Sequence, residues 1–153
     1  MKIAGREISA PKESVLVIPR DDGDIVIKAQ PILNLDEFDT LYPPPEIPIL
    51  MKPGGVKISN PEQPEYLEKQ TKWAELKTNW MQLKSLEPTK FEWETVDMQD
   101  PETWENYMSE LSTVFSQVEV VRILQLVIEA CGLSQDKIDE ATAAFLAGQA
   151  QAE

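Results

Sequence analysis

Residues 116–132, SQVEVVRILQLVIEACG, constrain this chain more than any other stretch. Ser116 and Glu119 stand three apart, the spacing at which a serine hydroxyl and a glutamate satisfy the first free N–H groups of a helix reciprocally. Gly132 closes the stretch, and glycine adopts the left-handed conformation that ends a helix most easily. Between these caps lie Val118, Val120, Val121, Ile123, Leu124, Leu126, Val127, Ile128, Ala130 and Cys131. Arg122, Gln125 and Glu129 fall on one polar stripe, and the rest of the circumference is apolar. Such a helix needs cover on most sides. It is too short and too interrupted to cross a membrane. It is therefore expected to be the central helix of a small helical domain.

The chain has 153 residues, enough for one ordinary domain, and a hydrophobic share of 42%, enough for a core. Its formal net charge is −13, with no histidine. That balance argues against binding a nucleic-acid backbone, which needs a basic surface, and against docking on anionic lipid. From Asp97 to Glu153 there are eleven acidic residues and two basic ones, so this segment carries −9 of the total. A surface of this kind keeps a protein dispersed, and it also suits a basic partner. One cysteine excludes an internal disulfide, and Cys131, on the apolar helix, is expected to act as a small hydrophobe. The N-terminus lacks the apolar core of a signal peptide, which fits a cytosolic life.

In chain order, residues 1–42 read as a β-hairpin region. A short strand near Ile3 and Ile8 precedes two β-branched runs, 15–20 and 25–29, joined by the Asp21-Asp22-Gly23-Asp24 turn. No glutamate completes a calcium loop after these aspartates, so they read as turn residues. Residues 34–42 are expected to form a helical turn or two, capped by Asn34. Residues 43–64 hold seven of the twelve prolines and read as an extended arm, apolar enough to lie against a surface. Residues 65–148 read as a helical domain. Its first helix spans about 65–86, with Tyr66, Trp73, Leu76, Trp80 and Leu83 in one stripe. Residues 91–96 alternate as a strand or an extended loop. Asp100 and Pro101 start a short helix with Trp104, Tyr107, Met108 and Leu111 on its apolar face. Ser134 is expected to cap the last helix, with Ile138, Ala141, Phe145 and Leu146 inward and Gly148 as its stop. Residues 149–153 are expected to fray. The class is α+β, mainly α: an N-terminal hairpin, a proline-rich arm and a bundle of about four helices.

The inventory for chemistry is thin. Without histidine the commonest general base and metal ligand is missing. No nucleophile triad or zinc spacing is present. Pro53-Gly54-Gly55 is followed by no GK[ST] and is not a phosphate-cradling loop. The residues argue for a binding or assembly protein, with no enzyme activity and no cofactor.

Two further segments carry a resemblance. FEWETVDMQDPETWENYMSEL, then SQVEVVRILQLVIEACGLSQDKIDEATAAFL, resembles small acidic, largely helical proteins encoded among the tail genes of long-tailed bacteriophages, the tail assembly chaperones. The matching positions are Trp93, Val96, Asp100, Pro101, Thr103 and Trp104, then Ser116, Glu119 and Val120, then Leu133, Ile138, Phe145, Leu146 and Gly148. The resemblance implies a role in the host cell cytoplasm, holding the long apolar tape-measure protein soluble and recruiting tail tube subunits. A structural subunit of the tail or neck, and an acidic protein binding a basic partner, are the alternatives. Client contact is expected along Trp73, Leu76 and Trp80, or on the arm at Pro43, Pro44, Pro45, Ile47 and Ile49. The proline-locked arm is also expected to support self-association.

Overall fold

The computed structural model of the chain describes residues 1–132 and 135–152. Elements follow in the order β1 (Lys2–Ile3), β2 (Arg6–Glu7), β3 (Ser14–Ile18), β4 (Ile25–Ala29), α1 (Asp36–Leu41), β5 (Ile49–Lys52), β6 (Val56–Ser59), α2 (Pro64–Ser85), α3 (Tyr107–Val114), α4 (Gln117–Ala130) and α5 (Gln135–Ala152). Short 3-10 turns occupy Glu87–Thr89 and Pro101–Asn106. With 51% helix and 15% strand, the α+β, mainly-α class holds. Among the described residues all strands pair antiparallel in three separate hairpins, and the α-helices number five. The chain forms two compact units that each draw on separated stretches. One holds residues 1–31, 85–91 and 115–153; the other holds 32–84 and 92–114.

The first unit is built on α4 and the β3–β4 hairpin. β3 and β4 pair from Ser14↔Ala29 to Ile18↔Ile25, the expected hairpin, with Pro19–Asp24 as its loop. Alternation puts Ile18, Ile27 and Ala29 inward. α4 packs on both strands, burying Val120, Ile123, Leu126, Val127 and Ala130. The caps are as the sequence indicates: the Ser116 hydroxyl accepts from the Glu119 N–H at 3.3 Å, and Gly132 follows the helix in the left-handed region at φ +70°. The Glu119 carboxylate accepts from both terminal nitrogens of Arg20, at 3.2 and 2.6 Å, tying the hairpin loop to the helix start. The outer edge of β4 is also closed. Lys28 N–H donates to Thr89 Oγ1 at 2.9 Å, and that hydroxyl donates to Lys28 O at 2.7 Å. Gln30 N–H donates to Ser85 O, and Ser85 Oγ donates to Gln30 O, both at 2.8 Å. One hydroxyl thus stands in for a neighbouring strand, which removes an edge that would otherwise invite pairing.

The second unit is built around Phe38, which is 0% exposed. Its ring lies 5.8 Å from Trp73, 5.7 Å from Trp80 and 6.2 Å from Trp104, all tilted, as aromatic quadrupoles prefer. Phe38 comes from α1, which starts where Asn34 Oδ1 accepts from the Asp36 N–H. Trp73 and Trp80 come from α2, seven residues apart and so on one face. Trp104 is delivered by the D-P-x-T-W turn. Asp100 Oδ1 accepts from the Glu102 N–H at 3.2 Å, and Pro101 takes the first turn. Thr103 Oγ1 accepts from Asp97 N–H at 2.9 Å, and Trp104 Nε1 donates to Asp97 O at 3.1 Å. Glu110 on α3 accepts from Glu94 N–H at 2.6 Å and from Thr95 N–H and Oγ1 at 3.1 and 2.8 Å, pinning the segment before that turn.

Several expectations change. The arm is not extended throughout: Ile49–Lys52 and Val56–Ser59 form a hairpin around Pro53-Gly54-Gly55, where Gly54 and Gly55 have φ of +93° and +80°. Residues 91–96 form a loop, the second of their two expected alternatives. Met108 points outward. α5 runs through Gly148 to Ala152, so residues 149–152 are helical and Gly148 does not stop it. Ile138, Phe145 and Leu146 are exposed, not inward, because no other element covers that helix among the described residues. The expected cap at Ser134, and Leu133, lie outside the described residues.

Both tied carboxylates have depressed pKa values. Glu119 is lowered chiefly by the hydrogen bond from Arg20. Glu110 is lowered chiefly by the Glu94 N–H, then by Thr95. A carboxylate whose folded pKa lies below its unfolded one contributes stability that is complete above the unfolded value and lost as pH falls through the folded value. Thermal stability is therefore expected to fall as pH drops below about 4.3, and Glu110→Gln or Glu119→Gln should flatten that fall in thermal melts across pH.

Candidate functional site: an open cleft and exposed apolar faces

The arm enters the second unit as a run of prolines. Pro43, Pro44 and Pro45 fix an extended backbone without N–H donors, and Asn60 N–H donates to Pro48 O at 2.7 Å across the base of the β5–β6 hairpin. This holds the chain beside the start of α2 and leaves an open cleft of about 620 Å³ between them. Pro45, Ile47, Pro48, Ile49 and Tyr66 supply its apolar lining, and Glu46, Gln63, Glu65 and Lys69 supply the polar rim. Beyond the cleft, Ile49, Leu50, Met51, Val56 and Ile58 of the hairpin are all exposed.

The expected contact residues divide. Pro45, Ile47 and Ile49 line the cleft, while Pro43 and Pro44 are exposed next to it. Leu76 and Trp80 are buried in the core. Trp73 is half-buried: its Nε1 donates to Tyr42 O at 3.0 Å, and Lys77 Nζ lies 4.9 Å from its ring centroid, a cation–π contact. These three side chains hold the unit together and do not form a free groove. Sequence reasoning missed the hairpin, although the alternation of ILMK and VKIS around PGG is a hairpin signal. Nor did it find the uncovered stripe of α5, since periodicity tells which residues share a face and not whether that face has a neighbour.

Exposed apolar side chains lie on β5–β6, on α5 at Ile138, Phe145 and Leu146, on α4 at Val118, Val121 and Ile128, and on β3–β4 at Val15, Val17 and Val26. Among the described residues no cluster of His, Cys, Asp and Glu could hold a metal ion, and no helix is long and apolar enough to cross a membrane. Comparison with family models, curated proteins and solved structures finds no match.

Position decides what a substitution costs. Ile49 is 64% exposed, so Ile49→Ala should change stability by about 0.5 kcal/mol or less. Trp80 is 1% exposed, so Trp80→Ala should cost about 3–5 kcal/mol. Urea unfolding of both variants checks the contrast.

Proposed function

We propose that this protein is a non-enzymatic assembly chaperone that covers an elongated apolar partner, in the manner of the tail assembly chaperones it resembles. The client would be the tape-measure protein of a long-tailed phage, with tail tube protein recruited to the complex in the host cytoplasm. The observation that carries this reading is the run of exposed apolar side chains at Ile47, Ile49, Leu50, Met51, Val56 and Ile58, beside an open cleft, on a chain of net charge −13. An exposed apolar surface binds a client; a strong like-charge surface keeps the complexes apart in solution. The proline backbone beside the cleft and the exposed hairpin suit an extended or helical segment laid along them. The resembling motif supports the fold of this unit and no chemistry: Asp100, Pro101, Thr103 and Trp104 build a capping turn.

Co-expression with the tape-measure protein of the same genome, followed by size-exclusion chromatography with light scattering, tests this. The expected result is co-elution of several copies with a client that is insoluble alone. Ile47→Asp with Ile49→Asp should lose the client while leaving the melting temperature within about 2 °C, as for exposed sites. A client that stays insoluble, or complexes indifferent to those substitutions, would sink the reading. Incorporation of the protein into finished tails would favour a structural subunit instead.

A further inference from the structure

We propose that the outer edge of β3 is a docking site for an extended segment of a partner protein, which joins the β3–β4 hairpin as a third, antiparallel strand. Hydrogen bonding along the hairpin fixes which backbone groups are free. Lys28 turns both its N–H and its carbonyl away from β3, to Thr89 Oγ1. Val15 stands opposite Lys28, so the two make no mutual hydrogen bonds, and Val15 turns its own N–H and carbonyl away from β4. Two residues on, the same holds for Val17 opposite Val26. Among the described residues β3 pairs only with β4, and neither Val15 nor Val17 has a further backbone partner. The edge of β4 is thus closed by Thr89 and Ser85, and the edge of β3 is open. Its two donor–acceptor pairs stand about 7 Å apart, the repeat of an extended strand. A helix, whose backbone groups are already bonded internally, cannot match them.

Side chains and charge define the segment that fits. Val15 and Val17 are 56% and 52% exposed on the face away from α4, with Val26 beside them. A hairpin apolar on both faces has the composition of strands inside a larger sheet. The added strand therefore carries apolar, β-branched residues opposite Val15 and Val17, where cross-strand pairs extend the valine patch. Pro11 and Pro19 bound the open stretch, so it takes one short segment. At the loop end stand Asp21, Asp22 and Asp24, while Arg20 there is already paired with Glu119. An antiparallel strand sets its N-terminal end beside this loop, and basic residues there are favoured. A second copy of the chain would bring a further charge of −13, which disfavours β3–β3 pairing. The site uses no residue of the cleft and does not rest on the client reading.

Nuclear magnetic resonance titration of the full chain with the capped peptide Lys-Lys-Val-Thr-Val-Thr-Val tests it. The amide protons of Val15 and Val17 should move downfield saturably as they gain acceptors, while those of Leu16 and Ile18, already bonded to β4, stay in place. The same peptide N-methylated at its first two valines lacks the donors that face the edge and should bind about tenfold more weakly or worse. Val17→Pro removes one outward donor and no bond between β3 and β4, and should weaken binding about fivefold or more. Should that variant lose the hairpin, the N-methylated peptide makes the same test on the unaltered protein. Glutamates in place of the two lysines should also weaken binding. Unmoved Val15 and Val17 amides at millimolar peptide, or equal binding of the N-methylated peptide, would overturn the proposal. So would the same shifts on concentrating the protein alone, which would assign the edge to a second copy.

Discussion

Each of the two units has about half of a 153-residue chain from which to make a core, and this shortage governs the structure. A unit that small buries a limited share of its surface and is only marginally stable. The second unit meets the shortage with aromatics. Phe38 is enclosed by three tryptophans drawn from α2 and the 101–106 turn, so a few large side chains replace many aliphatic ones. The first unit meets it with a helix laid on a hairpin, where Ile27 and Ile123 are both fully buried.

Polar contacts in both units act at the places where the chain would otherwise be loose. Arg20 and Glu119 join a loop to a helix start. Thr89 and Ser85 close the edge of β4 with side-chain and backbone hydrogen bonds. Glu110 fixes residues 94 and 95 ahead of the turn that delivers Trp104. None of these is a reactive constellation. Among the described residues, apolar side chains are left exposed on the β5–β6 hairpin and on α5, and also at Val15, Val17 and Val26 on β3–β4 and at Val118, Val121 and Ile128 on α4.

Local signals were read well from the sequence. The Ser116 and Gly132 caps, the 14–29 hairpin, the long helix after Pro64 and the Asp100–Pro101 start all depend on neighbouring residues, and each stands where its pattern put it. Of the candidate contact residues, Pro45, Ile47 and Ile49 line the cleft. What the sequence did not reveal is long-range. The role of Phe38 depends on residues 35 to 66 positions away, and Thr89 serves β4 across 61 residues. Pro53-Gly54-Gly55 lacks the GK[ST] of a phosphate loop, and its hairpin is legible only together with the flanking ILMK and VKIS. For α5 the stripe was legible, but its neighbour was not, because an inward face and a docking face share one pattern.

Hydrogen exchange of the dilute full-length protein tests most directly whether the cores stop where they are described. Amides protected by packed structure exchange through large openings, whereas those of unsupported elements exchange through local fraying. Slow exchange in β3, β4, α4 and the part of α2 around Trp80, with fast exchange in β5–β6 and α5, is the predicted result. Protection of α5 and the β5–β6 hairpin equal to that of α4, in a dilute monomer without partner, would contradict it.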